Sequence, residues 1–132
     1  MSKIIEVVNN LPKLLKLKPA KAVDIQDAEL QLRVRFTDEY REYLAAFGAI
    51  VAEGIELTGI AKSVHRSVVN QTKQERKMNA KVPNTMYVIE NTGVDGIIIW
   101  QDTRGAVFQT SPGTAPKRIA TSLCEYIEKR LG

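Results

Sequence analysis

Cysteine and histidine are almost absent from this sequence of 132 residues, which contains one of each. Cys124 has no second cysteine to pair with, so no disulfide can form within the chain. A zinc site built on Cys124 and His65 would need carboxylates for its other ligands, and the sequence contains no CxxC or HxxxH spacing. We therefore expect no metal and no cofactor, and we interpret Cys124 as an inert, half-buried thiol rather than a nucleophile.

Long apolar runs are missing as well. A run such as Gly96-Ile97-Ile98-Ile99-Trp100 is far too short to cross a bilayer. The first residues lack the uninterrupted apolar stretch and the cleavage site of a signal peptide. The chain is 44% hydrophobic and 26% charged, which is ordinary for a globular protein. We expect a cytoplasmic protein that forms a single domain over residues 1–132 and has no membrane partner.

Charge is divided unevenly along the chain, although the net charge is only +4. Residues 62–81 contain six basic side chains and one acidic side chain, a local charge of +5. Residues 38–57 contain five acidic side chains and one basic side chain, a local charge of −4. This separation indicates one basic and one acidic segment rather than a uniformly basic coat.

Carboxylates that could act as a general acid and base occur at predicted turns and strand ends. Glu90, Asp95 and Asp102 are in this class, and turn formation is the commoner role of such aspartates. The loop Gly93-Val94-Asp95-Gly96 joins two predicted strands and has no phosphate-loop spacing. We expect a protein that is not an enzyme and has no catalytic residues.

Residues 36–49 form the clearest helix in the sequence. Tyr40, Tyr43, Leu44 and Phe47 share one face at positions i, i+3, i+4 and i+7. Thr37 suits the N-cap, and Gly48 suits the C-terminal end, where the chain adopts a positive φ. The apolar face predicts that this helix anchors the core, with Leu44 and Phe47 fully buried.

Other patterns predict an α+β fold, a single domain in which helices flank an antiparallel sheet with a C-terminal meander. The expected strands are 54–60, 86–91, 96–101 and 106–110, the last three forming the meander. The expected helices are a short N-terminal one packed on the sheet and broken near Pro12, then 24–33 with Asp24 as N-cap, 63–78 begun by Ser63, and 117–131.

Several motifs, in their order along the chain, resemble the SUKH superfamily, which includes yeast cell-wall regulators of the Smi/Knr type and many bacterial immunity proteins. The resemblance covers about residues 25–131. The motifs are Ile25-x-x-Ala28-Glu29-x-x-Leu32, Phe36-x-x-x-Tyr40-x-x-Tyr43-Leu44-x-x-Phe47-Gly48, Glu56-Leu57-x-Gly59-Ile60, Ser67-Val68-Val69-Asn70-Gln71-Thr72, Val88-Ile89-Glu90-Asn91 and Asp95-Gly96-x-Ile98.

This resemblance implies a SUKH fold and a bacterial immunity protein. Such a protein binds a cognate toxin domain of a polymorphic or contact-dependent toxin system, often a nuclease, and neutralises it without a cofactor. Inhibitors of nucleases are often acidic, and the net positive charge of this chain departs from that pattern. The acidic segment, residues 38–57, would give this net basic chain the negatively charged surface that such an inhibitor needs.

Candidate partner-binding residues follow from this idea. On the predicted helix, Asp38 and Glu42 project opposite the apolar face and Glu39 flanks them. Glu53 and Glu56 extend the acidic surface if the chain folds them alongside. Trp100, which we interpret first as a core residue, and Asp102 offer a second candidate surface on the sheet.

Two alternatives remain from the sequence. The first is a nucleic-acid-binding module that uses residues 62–81, although the segment lacks the interleaved aromatic residues that stack on bases, which favours a solvated helix face. The second is a regulatory scaffold like the yeast relatives.

Overall fold

A computed structural model describes residues 3–131, so residues 1, 2 and 132 of the expected domain lie outside the described part. Within residues 3–131 the fold is α+β, with five helices and two antiparallel sheets. The helices are α1 (Lys3–Asn9), α2 (Ala22–Leu32), α3 (Asp38–Phe47), α4 (Val68–Met78) and α5 (Leu123–Leu131). No helix in this part of the chain is both long and apolar enough to cross a membrane.

The strands form one sheet of three and one sheet of four. The first sheet has the order β1-β2-β3, and the second is a meander with the order β4-β5-β6-β7. The strands are β1 (Leu15–Lys16), β2 (Ile50–Ala52), β3 (Ile55–Leu57), β4 (Tyr87–Asn91), β5 (Ile98–Gln101), β6 (Val107–Thr110) and β7 (Lys117–Ala120). Thr58, directly after β3, joins the two sheets, because its backbone N–H donates to Ile89 O at 3.0 Å and its hydroxyl donates to Val88 O at 2.8 Å.

The helix α3 anchors the main core, as its sequence pattern predicts. The Thr37 hydroxyl accepts a hydrogen bond from the Tyr40 N–H at 3.0 Å, so the expected N-cap is confirmed. Leu44 and Phe47 are at most 2% exposed, which confirms both as core residues. The Tyr40 and Tyr43 hydroxyls lie beside Thr58, where Tyr43 donates to the Thr58 carbonyl at 2.8 Å. Aromatic burial and these polar contacts together fix α3 against the junction of the two sheets.

Two glycines allow the backbone to pass closely at the end of α3. Gly48 has a φ of 75°, and a Cβ atom there would lie 2.1 Å from the carbonyl oxygen of Lys18. A Cβ atom on Gly59 would lie 1.7 Å from the carbonyl oxygen of Gly48. Neither position has room for a side chain, so glycine is required at both for steric reasons and at Gly48 also for its positive φ.

A β-bulge in β4 determines which side chains enter the core. Val88 pairs with Trp100 and Glu90 pairs with Ile99, so Ile89 is the extra residue. Without the bulge, Val88 and Glu90 would point to the same face of the sheet. The bulge instead turns the Glu90 carboxylate towards the main core, where only 2% of the residue is exposed.

A second, smaller core lies on the opposite face of the four-stranded sheet. Val88 and Trp100 of the sheet pack there with Val82 and Met86, which come from the segment between α4 and β4. Trp100 has no exposed surface, and its indole N–H donates to the Thr110 hydroxyl at 2.9 Å. Apolar residues on both faces explain why β5 reads as a continuous hydrophobic run.

Three predicted helices differ from the structure. Residues 117–120 form strand β7 rather than the start of the last helix. The helix α4 begins at Val68 with Ser67 as its N-cap, not at Ser63. The helix α2 begins at Ala22, so Asp24 lies in its first turn, and Lys21 takes the N-cap position without a side-chain hydrogen bond.

Only β3 of the first sheet lies within a predicted strand. The strands β1 and β2 were not predicted, because they contain only two and three residues. The N-terminal helix exists and ends before Pro12 as expected, but it packs against α3 and α5 rather than on the sheet. Short strands carry too few residues for an alternating pattern to stand out.

The burial of Phe47 gives a direct stability test. Phe47→Ala removes a buried ring and leaves a cavity, so we expect the free energy of unfolding to fall by about 3–5 kcal/mol. Urea denaturation followed by circular dichroism measures this change. Leu30→Ala is the control, because Leu30 is 77% exposed and its truncation should change stability by less than about 0.5 kcal/mol. Equal midpoints for the two variants would contradict the placement of Phe47.

Candidate functional site

Asp38 and Glu42 form the solvated edge of α3. The side chain of Asp38 is 93% exposed, and its nearest cation is the Arg41 guanidinium at 3.6 Å. Glu42 lies one turn further along, is exposed, and makes no ion pair with any residue between 3 and 131. Both carboxylates are therefore available to an approaching partner.

Glu39 has a structural role in α5. Its Oε1 accepts a hydrogen bond from the Leu123 N–H at 2.7 Å, and its Oε2 accepts one from the Cys124 N–H at 3.0 Å. The side-chain amide of Gln101 donates to Oε1 at 3.2 Å. A carboxylate at this place satisfies the free N–H groups of the first turn and interacts favourably with the helix dipole. Glu39 thus supports the fold and has little capacity left for a partner.

The turn that begins at Asp102 lies beside the start of α3. Thr103, Arg104 and Gly105 line a surface cavity of about 500 Å³ together with Asp38 and Glu39. The Asp102 carboxylate accepts hydrogen bonds from the N–H groups of two residues that follow it, each at 3.0 Å, so it shapes the turn. Trp100, the other candidate on the sheet, is fully buried and presents no surface to a partner.

Glu53 and Glu56 lie at the opposite end of α5 from Glu39. The Arg130 guanidinium, in the last turn of α5, donates to the carbonyl of Gly54 in the β2–β3 turn. Leu123 and Arg130 are separated by about 10 Å along the axis at 1.5 Å per residue. Glu56 pairs with Arg66, whose Nε lies 3.3 Å away, and His65 Nε2 lies 3.6 Å from the same carboxylate. The structure therefore divides the predicted acidic surface into two separate groups.

Glu90 is a buried carboxylate whose role the sequence analysis missed. It does not lie at a turn: its Oε1 accepts from the Tyr126 hydroxyl and from Arg130 Nη1 at 2.6 Å, and its Oε2 accepts from the Glu56 N–H at 2.9 Å. Burial, followed by the nearby Glu90 charge, raises the pKa of Tyr126 well above its ordinary value. The sequence feature that indicates this buried role is a charged residue directly after the apolar pair Val88-Ile89 in a predicted strand.

Cys124 and His65 are the remaining side chains that the sequence analysis considered for reactivity. Burial, with a further contribution from Glu39, raises the pKa of the Cys124 thiol to about 12, so the thiolate is scarce at neutral pH. His65 has an exposed side chain beside Glu56 and lies outside any metal cluster. Among residues 3–131, no group of three or more histidine, cysteine, aspartate or glutamate residues could hold a metal ion.

In the basic segment 62–81, the cation Arg76 is engaged by hydrogen bonds within the fold. Arg76 Nη1 donates to Leu32 O at 3.0 Å, and Nη2 donates to Asn84 O at 2.7 Å and Met86 O at 3.1 Å. These bonds hold α4 to the end of α2 and to the segment before β4. Arg66 pairs with Glu56, which leaves four exposed lysines in the segment, namely Lys62, Lys73, Lys77 and Lys81.

A comparison with protein families gives one match that spans nearly the whole chain. The family model described as "SMI1-KNR4 cell-wall", one of the SUKH families, matches residues 1–131. No curated protein matches the chain.

The capping role of Glu39 can be tested against its neighbour on the same helix. Glu39→Ala leaves two N–H groups of α5 without an acceptor, so we expect a loss of about 1–3 kcal/mol in unfolding free energy. Glu42→Ala removes the same group from an exposed position and should change stability by less than about 0.5 kcal/mol. Urea denaturation of both variants provides the comparison. If they unfold at the same midpoint, Glu39 does not stabilise α5.

A second pair of variants, in α4, distinguishes the structural role of a cation from the effect of its charge. Arg76→Gln breaks hydrogen bonds to three carbonyls, and we expect it to cost about 2–3 kcal/mol. Lys77→Gln removes the same charge from the exposed face and should be nearly neutral. Thermal unfolding measures both. A stable Arg76→Gln variant would show that the guanidinium is available for phosphate contacts, which would revive the nucleic-acid interpretation.

Proposed function

Since this chain belongs to the SMI1-KNR4 family, we propose that it is a non-enzymatic immunity protein that binds a cognate toxin domain and neutralises it. The match over residues 1–131 is the single observation that carries this proposal. Members of this superfamily are generally immunity or regulatory proteins that act by protein–protein contact. We further propose that residues 1–132 act as one domain in the cytoplasm of a bacterium.

The mechanism that we propose is stoichiometric occlusion of the toxin, and it needs no cofactor. The arrangement of reactive side chains agrees with such a mechanism. Glu39 and Glu90 are engaged by backbone or side-chain donors, and the Cys124 thiol is buried and protonated. These groups stabilise the fold, and the exposed groups are left to make contacts with a partner.

The partner-binding surface that we propose is centred on Asp38 and Glu42. Both are exposed on α3, four residues apart and on one face. Among the other candidates, Glu39 caps α5 and Asp102 shapes its own turn. Glu53 and Glu56 lie at the far end of α5, and Trp100 belongs to the second core.

A local acidic surface allows a net basic protein to approach a basic toxin, for example a nuclease with a positively charged substrate groove. Complementary charge mainly speeds association, because it steers the two molecules together before contact. The effect weakens as salt screens the charges over about 10 Å at 0.1 M ionic strength. The association rate is therefore the quantity that reports most directly on this surface.

The experiment uses the toxin domain encoded beside the gene for this protein. We expect wild-type protein to bind the purified domain and to restore growth of cells that express it. Asp38→Lys combined with Glu42→Lys should lower the association rate by at least about tenfold at low salt and flatten its salt dependence. Stopped-flow fluorescence of a dye-labelled toxin domain measures the rate.

The control is Glu6→Lys combined with Asp24→Lys, which changes the net charge equally at exposed positions outside the candidate surfaces. If both double variants associate as fast as wild type and protect cells, Asp38 and Glu42 are not the binding surface. If wild-type protein neither binds the toxin domain nor protects cells, the immunity function itself is rejected.

A further inference from the structure

The helix α2 has apolar side chains on its solvent-exposed face as well as on the face that packs into the core. Ile25, Ala28 and Leu32 pack into the main core, whereas Val23 is 64% exposed and Leu30 is 77% exposed. Val23 and Leu30 are seven residues apart, so they lie two turns apart on the same outer face. Isolated apolar side chains on a helix surface are common, and of these two only Leu30 lines a groove.

A shallow groove of about 580 Å³ runs beside Leu30, between α2 and the segment that leads to α3. Leu30 and Val34 provide its apolar surface, and Glu29, Arg33, Arg35 and Arg41 provide its polar rim. The contacts of each rim residue determine the charge that this groove presents to a partner.

Glu29 and Arg41 compensate each other inside the groove. Glu29 Oε2 accepts from Arg41 Nη2 at 2.8 Å and from the Phe36 N–H at 2.8 Å. Arg33 and Arg35 are exposed and make no ion pair with any residue in the range 3–131. The groove therefore presents two uncompensated guanidinium groups beside an apolar surface.

Arg33 occupies a position where glycine is the usual residue. It ends α2 in the left-handed region, with a φ of 55° and a ψ of 43°. Its N–H bonds to the carbonyl of Leu30, and the N–H of Val34 bonds to that of Glu29, which is the hydrogen-bond pattern of a helix C-terminus that favours glycine. The Cβ atom at this position adds backbone strain that glycine would avoid, and the guanidinium extends into solvent at the edge of the groove.

We propose that this groove binds a segment of a partner protein that carries apolar side chains next to carboxylates. Leu30 and Val34 would receive the apolar side chains, and Arg33 and Arg35 would each pair with a carboxylate through two parallel hydrogen bonds. Charge complementarity selects this occupant. A nucleic acid fits less well, because the groove lining contains no aromatic side chain on which a base could stack.

This inference goes beyond the proposed immunity function and does not depend on it. The groove has the opposite charge to the surface formed by Asp38 and Glu42. The two surfaces adjoin each other, because Arg35 lines both the groove and the cavity beside Asp38.

The test uses a fluorescein-labelled synthetic helical peptide in which leucines lie on one face and glutamates flank them. Fluorescence anisotropy measures its binding to the whole protein. We expect Arg33→Gly and Leu30→Ser each to weaken binding by about tenfold, which corresponds to about 1.4 kcal/mol. Arg33→Gly also removes the strain of the positive φ, so its melting temperature should not fall.

Matched controls lie away from the groove. Lys81→Gln removes an exposed cation without an ion pair among the described residues, and Val64→Ser removes an exposed apolar side chain. Both should bind the peptide as wild type does. A peptide with lysine in place of glutamate should not bind.

Three results would overturn the proposal. They are unchanged affinity in Arg33→Gly and Leu30→Ser, equal binding of the lysine peptide, and a dissociation constant above about 1 mM for the glutamate peptide. Tighter binding of a single-stranded oligonucleotide than of the peptide, lost in the same two variants, would also overturn it in favour of a nucleic-acid partner.

Discussion

The buried carboxylate of Glu90 is the interaction on which the arrangement of the two sheets and α5 depends. A charge in a protein interior is tolerated only when it is paired and hydrogen-bonded, and here the donors come from the first sheet and from α5. The N–H of Glu56 belongs to the first sheet, Glu90 itself to the second, and Tyr126 and Arg130 to α5. The bulge at Ile89 is necessary, because without it the carboxylate would point to the other face of the sheet.

A second carboxylate completes the attachment of α5. Glu39 accepts hydrogen bonds from the first turn of the helix, and Glu90 binds Arg130 in the last turn. Both ends of α5 are thus fixed by acidic residues from distant parts of the sequence. This use of carboxylates reduces the number that can contact a partner, which is why the exposed pair on α3 and the arginine-rimmed groove beside α2 are the charged surfaces of interest.

The sequence predicts the parts of this fold that depend on local pattern. The apolar face, N-cap and terminal glycine of α3 lie within a few residues of one another, and the meander strands are separated by turn residues. The end of the chain shows the limit. Ile119, Leu123 and Tyr126 have helical spacing, yet Ile119 belongs to β7 because its strand pairs with β6. The roles of Glu39 and Glu90 could not be predicted, since their partners are 84 and 36 residues away. The position of Asp38 and Glu42 on one face could be predicted from helix geometry. The groove beside Leu30 could not, because it depends on the path of the chain after α2.

Trp100 is an intrinsic fluorescence probe that reports on only one region of this protein. It is the only tryptophan in the chain, and it lies in the second core, on the sheet face opposite to α3 and α5. Its indole is shielded from water and hydrogen-bonded to Thr110. A molecule that docks on α3 or beside α2 does not touch it, so intrinsic emission that stays constant during complex formation is compatible with tight binding. A spectral shift, by contrast, would report that the packing of Val82 and Met86 in the second core has rearranged.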